Sequence, residues 1–151
     1  MKIFSLFIVS LFGCMSLFAQ EKGFVIKGRI PGMPDGVEVS LLAAEKDLLG
    51  GESSILVETT VKNGYFELRG KLDAPLLCTL ITNNQMLHLK DTSCQIKWTY
   101  TPLFVENVEI AIKADDYDSV TSETPFIVEG GEAQRDYVEY QRLKEERRRG
   151  E

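Results

Sequence analysis

Few residues of this chain could do chemistry, and their types and spacing match none of the common catalytic arrangements. The sequence has one histidine, so a metal site with several histidines is excluded, and a Ser-His-Asp or Cys-His device would have to use that residue. It is His88, between Leu87 and Leu89, which predicts a strand position on the face opposite to the leucines. We therefore predict no catalytic residue in this chain.

Two further segments resemble ligand-binding loops without matching them. Residues 64–71 read GYFELRGK, but five residues separate the glycines, and Leu72 stands where a phosphate-binding loop needs a serine or threonine for magnesium. Residues 115–119 read DDYDS, yet Val120 occupies the next ligand position and no EF-hand glycine follows. We interpret the first segment as part of a strand and the second as a solvated acidic turn, and we expect no metal and no cofactor.

The cysteines beyond the N-terminus do not form a redox motif. Cys78 and Cys94 are too far apart for a C-x-x-C pair or half of a zinc site. In an oxidising compartment they could be bridged, but Cys78 lies in the apolar run 76–81, so we expect both thiols to be free. An apolar strand raises the pKa of a thiol, and Asp91 disfavours a thiolate at Cys94. We therefore predict that the isolated chain has no thiol oxidoreductase or peroxidase activity.

Aromatic side chains and net charge indicate which partners to expect. Trp98 and Tyr100 are two positions apart, the spacing of residues on one face of a strand. They could form an aromatic binding face, although packing is the more common reason for such a pair. The chain has 17 Lys and Arg against 23 Asp and Glu, a formal net charge of −6. Because an acidic surface repels phosphate backbones, nucleic acid is not an expected partner.

The N-terminus predicts export. Lys2 gives a positive start, residues 3–18 are almost wholly apolar, and Ala19 offers a small residue at a cleavage point, which is the layout of a secretory signal peptide. Lipidation of Cys14 is the alternative, and it would tether the protein to a membrane. We expect cleavage after Ala19, because Phe12 is bulky for a lipoprotein signal, and a location in the periplasm or cell envelope.

The rest of the chain has the hydrophobic patterns of strands, with one helical segment at the end. Residues 43–54 are polar and glycine-rich and predict a loop or a short turn of helix. Residues 132–149 contain neither Gly nor Pro and predict a helix with a thin apolar stripe of Ala133, Tyr137, Val138 and Leu143. The pattern predicts strands at residues 24–30, 37–42, 55–62, 65–69, 76–82, 85–90, 95–100, 103–105 and 108–113.

The most specific local prediction is a hairpin at Asn63-Gly64. Asn-Gly favours a two-residue type I′ turn, because both central residues need a positive φ. The turn would fix three cross-strand pairs: Lys62 with Tyr65, Val61 with Phe66, and Glu58 with Arg69. The last pair joins opposite charges and would favour this register by about 0.2–1 kcal/mol. The same register places Val61, Phe66 and Leu68 on one face, the expected core face.

These elements predict an all-β fold, an antiparallel β-sandwich or open barrel of about seven to nine strands with a C-terminal helix. The chain is long enough for one domain with a hydrophobic core. We divide it into a signal peptide over residues 1–19, an antiparallel β-domain over 20–130, and a helical connector or tail over 131–151.

Several short motifs occur in the order used by one family. They are FVIKGRI at 24–30, VKNGYFELRG at 61–70, LFVEN at 103–107, IVEGG at 127–131 and DYVEY at 136–140. Their order resembles domain of unknown function 4369, an exported β-domain of Gram-negative bacteria that usually precedes a thioredoxin-like or peroxiredoxin-like domain. The resemblance covers about residues 24–141.

The resemblance implies a role beside a redox partner. Family members continue through a helical connector into a thioredoxin-like domain, whereas this sequence ends at Glu151 within the corresponding connector and has no C-x-x-C. We expect either a naturally short product or one piece of a longer protein, and we carry over no redox residue. Glu106, Asn107 and Gly130 are expected to be structural.

Two functions follow as expectations. The first is a non-catalytic exported accessory domain of a thiol–disulfide exchange system, which positions or shields a thioredoxin-like partner, as the resemblance implies. The alternative is a free-standing periplasmic binding module for a small ligand or peptide. An enzyme in its own right is not expected, because no positioned catalytic set can be assembled from these residues.

Overall fold

A computed structural model describes residues 22–43 and 54–150 of the protein. The predicted signal peptide and almost all of the loop expected at 43–54 lie outside the described residues. In chain order the strands are β1 (Phe24–Arg29), β2 (Glu38–Ala43), β3 (Ser54–Thr60), β4 (Tyr65–Gly70), β5 (Leu76–Asn83), β6 (Trp98–Val105), β7 (Glu109–Lys113) and β8 (Ile127–Glu129). Helix α1 (Gln85–Lys90) lies between β5 and β6, and helix α2 (Glu132–Arg149) follows β8.

The strands form two four-stranded sheets. Sheet A has the order β4-β1-β7-β8, and sheet B has the order β3-β2-β5-β6. All pairs are antiparallel except β1–β7, which is parallel. The predicted antiparallel sandwich with a C-terminal helix is therefore confirmed, with one parallel pair inside it. β7 enters sheet A from β6 of sheet B, so no hairpin turn dictates its direction.

The core lies between the sheets and is built by alternation along each strand. In β1 and β2, for example, every second side chain is buried, as a strand with one face on a core requires. Val61, Phe66 and Leu68 all point into this core, as predicted. The largest fully buried side chains are Phe66, Ile26, Ile30, Leu41, Leu68, Leu80, Leu103, Ile110, Ile112, Val37, Val39 and Val105.

The turn at Asn63-Gly64 forms as predicted, but the hairpin register beyond it is wrong. Both residues have positive φ, 53° and 70°, and Lys62 and Tyr65 exchange two backbone hydrogen bonds of 3.0 Å. The ladder ends at that pair, because β3 continues into sheet B beside β2 while β4 enters sheet A beside β1. The turn is therefore a corner that joins the two sheets.

The charge pair expected across this hairpin does not form. Glu58 lies opposite Ser40 of β2, and the Arg69 guanidinium instead contacts Glu67 of its own strand at 2.8 Å. The prediction that Val61, Phe66 and Leu68 face the core is nevertheless confirmed. Every second residue of a strand is buried whether its partner lies beside it in one sheet or opposite it across the sandwich.

Residues 85–90, predicted as a strand, form helix α1. The backbone carbonyl of Asn84 accepts hydrogen bonds from the N–H groups of Leu87 and His88, at 3.0 and 3.1 Å. The Asn84 side chain donates to the Gln95 carbonyl at 2.8 Å and accepts from the Lys97 N–H at 2.7 Å. The short helix thereby makes the connection between two neighbouring antiparallel strands, a role that a six-residue pattern does not reveal.

β6 replaces two predicted strands and begins at Trp98, three residues later than predicted. Two strands were expected at 95–100 and 103–105, whereas β6 runs without a break through Pro102. A proline lacks the N–H that a central strand needs, but β6 lies at the edge of sheet B, where proline is tolerated. The helix predicted over residues 132–149 is confirmed with those bounds.

Candidate functional site

The most distinctive local structure is the attachment of α2 to the sandwich. The chain turns sharply from β8 into α2 at Gly130 and Gly131, which have φ values of 134° and 89°. A Cβ on Gly130 would lie 2.5 Å from the carbonyl oxygen of Glu109, and one on Gly131 would overlap the Glu106 carboxylate. Only glycine fits both the conformation and the space, so the structural role expected for Gly130 is confirmed.

Glu106 caps the start of α2 from a distant part of the chain. The first N–H groups of a helix have no partner within it, and the residue before α2, Gly131, has no side chain to supply one. The Glu106 carboxylate accepts a hydrogen bond of 2.8 Å from the Ala133 N–H. Its negative charge also suits the positive end of the helix dipole.

Gln134 and Tyr137 attach the first turns of α2 to β6. Gln134 is 4% exposed, and its Oε1 accepts a hydrogen bond of 2.7 Å from the Phe104 N–H. The ring of Tyr137 meets that of Phe104 edge to face, with 5.5 Å between centroids. β6 is an edge strand with no further strand beside it, and the Gln134 side chain thus accepts a hydrogen bond that a neighbouring strand would otherwise accept. Sequence reasoning missed Gln134, because a glutamine in a polar helix carries no signal of burial.

Asn107 ties the β6–β7 connection to the loop that follows β4. Its side-chain amide accepts from the Leu72 N–H at 2.9 Å and donates to the Leu72 carbonyl at 2.6 Å. Both backbone groups of one residue are thereby satisfied by one side chain. The structural role expected for Glu106 and Asn107 is confirmed.

Trp98 and Tyr100 form an exposed aromatic pair on the outer face of sheet B. Their rings are stacked, with centroids 6.4 Å apart and planes 13° apart, and they are 44% and 49% exposed. Ile81 of β5 lies opposite Tyr100. The two rings therefore pack on each other and also present an exposed aromatic surface.

His88 lies on α1 and not on the predicted strand. Its Nδ1 is 2.6 Å from the carbonyl oxygen of Cys94, so the ring fastens α1 to the loop before β6. In the same region the Lys97 ammonium donates to the Tyr117 carbonyl and lies 4.2 Å from the centroid of that ring. The Tyr117 hydroxyl is buried without a hydrogen-bond partner, and burial, with smaller contributions from Asp118 and Cys94, raises its pKa.

The two thiols differ in environment, and both are free. Cys78 in β5 is fully buried, its Sγ lies 3.6 Å from the Leu76 carbonyl oxygen, and burial raises its pKa to about 11. Cys94 is partly exposed in the connection between α1 and β6. The expectation of free thiols thus agrees with the structure.

The acidic and glycine-containing segments behave as interpreted. Residues 115–119 form a turn in which Asp116 accepts from the Ser119 N–H at 2.7 Å, and most of residues 64–71 lie in β4. Within 22–43 and 54–150, no group of three or more His, Cys, Asp and Glu side chains is placed to hold a metal ion. The same ranges contain no helix long and apolar enough to span a membrane.

Comparison with known proteins identifies the family. The model of a domain of unknown function, DUF4369, matches residues 24–137. The match runs from the start of β1 into α2 and includes Glu106, Gln134 and Tyr137, the residues that attach the helix. No curated protein and no solved structure is detectably similar to the chain. The chain belongs to the DUF4369 family.

Proposed function

We propose that this chain is a non-catalytic exported accessory domain that positions or shields a thioredoxin-like partner in thiol–disulfide exchange. The sequence resemblance supports the choice of partner, and the predicted signal peptide supports a place in the periplasm or cell envelope. The structure of α2 supports the positioning role.

The observation that carries the proposal is that α2 is attached at its first turns and uncovered beyond them. Eighteen residues of helix span about 27 Å, so the distal half extends past the contact with Phe104. There Tyr140 and Leu143 are 60% and 50% exposed. A helix that is held at one end and presents apolar side chains at the other is suited to fix a second protein at a defined distance.

The environment of Cys78 suits an accessory role. A reactive cysteine is exposed and has a lowered pKa, whereas Cys78 is buried and its pKa is raised. The proposal therefore assigns thiol exchange to the partner and leaves binding and orientation to this chain.

The test uses residues 20–151 and the thioredoxin-like protein encoded beside this chain or in the same reading frame. We expect direct binding by calorimetry, weakened at least tenfold by Tyr140→Ser with Leu143→Ser. Ile55→Ser removes a comparable exposed side chain, 58% exposed, on β3 at the edge of sheet B opposite to β6, and should leave binding unchanged. Equal affinity for the helix variant and the original chain would contradict the proposal.

The aromatic pair favours a second candidate, a free-standing periplasmic binding module for a small ligand or peptide. Stacked and exposed rings bind flat apolar faces of ligands well. Trp98 is the only tryptophan, so its fluorescence reports on this surface directly. Titration with a panel of oligosaccharides and short peptides should change that fluorescence in the original chain and not in Tyr100→Ala.

A further inference from the structure

A groove lies between the free edge of β8 and the first turns of α2. Its volume is about 340 Å³, within the usual range of ligand sites. Its lining combines backbone of the strand edge with side chains of the helix. The lining residues are Val128, Glu129, Gly130, Gln134, Arg135, Val138 and Glu139.

The backbone groups on this edge can be assigned from the register of sheet A. The Val25 N–H donates to the Val108 carbonyl at 3.1 Å, so even-numbered residues of β7 bond to β1. Odd-numbered residues of β7 therefore bond to Ile127 and Glu129 of β8, as alternation in an antiparallel pair requires. Val128 consequently directs its N–H and C=O away from β7, and within the described residues no other strand pairs with this edge.

The two acidic side chains of the groove have ion-pair partners, whereas its arginine has none among the described residues. Glu129 is paired with Lys113 at 2.6 Å, and Glu139 is paired with Arg142 at 2.6 Å. Arg135 also lines the groove, and among the described residues it has no ion pair. Arg142 also pairs with Glu146, so the groove has no overall excess of positive charge. Arg135 is the one basic side chain of the lining, and a carboxylate is the group that complements it.

Apolar surface is also available. Val138 on the helix wall is 52% exposed, and Ile127, next to the lining residue Val128 on the strand, is 58% exposed. A free strand edge beside a helix with an apolar wall is the geometry in which extended peptides bind by adding a strand to a sheet.

We propose that the β8–α2 groove binds an extended peptide segment by strand addition. The backbone of the segment exchanges hydrogen bonds with Val128, an apolar side chain packs on Val138, and an acidic side chain pairs with Arg135. Because β8 has only three residues, few backbone bonds form and binding is weak. This site goes beyond the accessory role, since it is formed by β8 and the first turns of α2 and needs no thioredoxin-like partner.

The experiment follows amide signals of residues 20–151 by NMR during titration with three capped pentapeptides. The first alternates threonine and valine around a central aspartate, the second has lysine at the centre, and the third is the aspartate peptide N-methylated on its backbone. We expect the aspartate peptide to shift signals of Ile127, Val128 and Arg135. The lysine and N-methylated peptides should bind at least tenfold more weakly.

Two charge-reversal variants complete the test. Arg135→Glu should weaken binding of the aspartate peptide at least tenfold and strengthen binding of the lysine peptide. Arg147→Glu, on the same helix outside the groove, should leave the binding of both peptides unchanged. The proposal is overturned if millimolar aspartate peptide moves no signal of β8, or if shifts are confined to Trp98 and Tyr100. Equal binding of the N-methylated peptide would overturn it as well. All these measurements omit the thioredoxin-like protein, so their failure leaves the accessory role standing.

Discussion

The two lateral edges of the sandwich are built differently. At one edge, β3 passes directly into β4 through the Asn63-Gly64 corner, and Val61 and Phe66 beside the turn are buried in the core. At the other edge, β6 and β8 carry no such turn between them, and α2 lies against both. Its attachments come from residues 27 and 30 positions away, through Glu106 and Phe104.

Because of this difference, we expect one edge to determine the stability of the sandwich and the other to determine the position of α2. The corner is continuous with the hydrophobic core, so damage there weakens the whole domain. At the edge beside α2, the helix is held by a few polar bonds and one aromatic contact, so we expect α2 to detach while the sheets remain folded. The direction of the distal half of α2 is thus set by contacts that contribute little to the core.

The largest expected effect is at the corner. The Phe66 ring is 1% exposed and packs over Gly28, so Phe66→Ala should lower the free energy of unfolding by about 3–5 kcal/mol. Urea unfolding followed by circular dichroism measures this loss. Phe104→Ala on the opposite edge is the matched control and should cost clearly less, because Phe104 is only partly buried. Equal losses would contradict the distinction between the two edges.

The burial of Cys78 in β5, a strand between the two edges, should make the free energy of unfolding depend on pH. Its pKa is raised to about 11 in the folded protein from an ordinary value of 9.0. The unfolded chain therefore loses this proton first, and stability is full below pH 9 and falls as pH rises from 9 to 11, by about 2–3 kcal/mol. Unfolding curves across this range should show the slope, and Cys78→Ala should reduce it. An unchanged slope in the variant would assign the effect to other groups.

At the edge beside α2, Gln134→Ala should have an intermediate effect. The variant leaves the Phe104 N–H without its acceptor, which costs about 1–2 kcal/mol. Hydrogen exchange should accelerate along α2 while the amides of β1 and β2 stay protected. Gln141→Ala, on the same helix but beyond the attachment, is the control. Uniform acceleration through both sheets would show that the helix and sandwich unfold together.

The smallest expected effect is at Glu106, which caps the start of α2. Glu106→Ala removes the acceptor of the Ala133 N–H and should cost about 1 kcal/mol. Glu106→Gln keeps an acceptor and loses the charge, so it should recover part of the loss and separate the hydrogen bond from the helix dipole. Thermal unfolding of both variants measures this. Glu109→Ala, an exposed neighbour in an ion pair with Lys27, should change stability less than Glu106→Ala.

Local features of the fold follow from the sequence alone. Alternation marked the core faces of the main strands, Asn63-Gly64 predicted a tight turn, and residues 132–149 predicted α2 with its observed bounds. These predictions succeed because residue period, turn chemistry and helix propensity act over a few neighbouring residues. The motif order likewise led to the family.

Only the tertiary structure decided which strands pair and what holds α2. Val61 and Phe66 alternate in the same way whether their strands share a sheet or lie in opposite sheets, so the sequence pattern could not distinguish a hairpin from a corner. Residues 85–90 are too short for their period to separate strand from helix. Gln134 became a buried acceptor because the β6 edge offers the Phe104 N–H, and such a long-range pairing leaves no trace in local sequence.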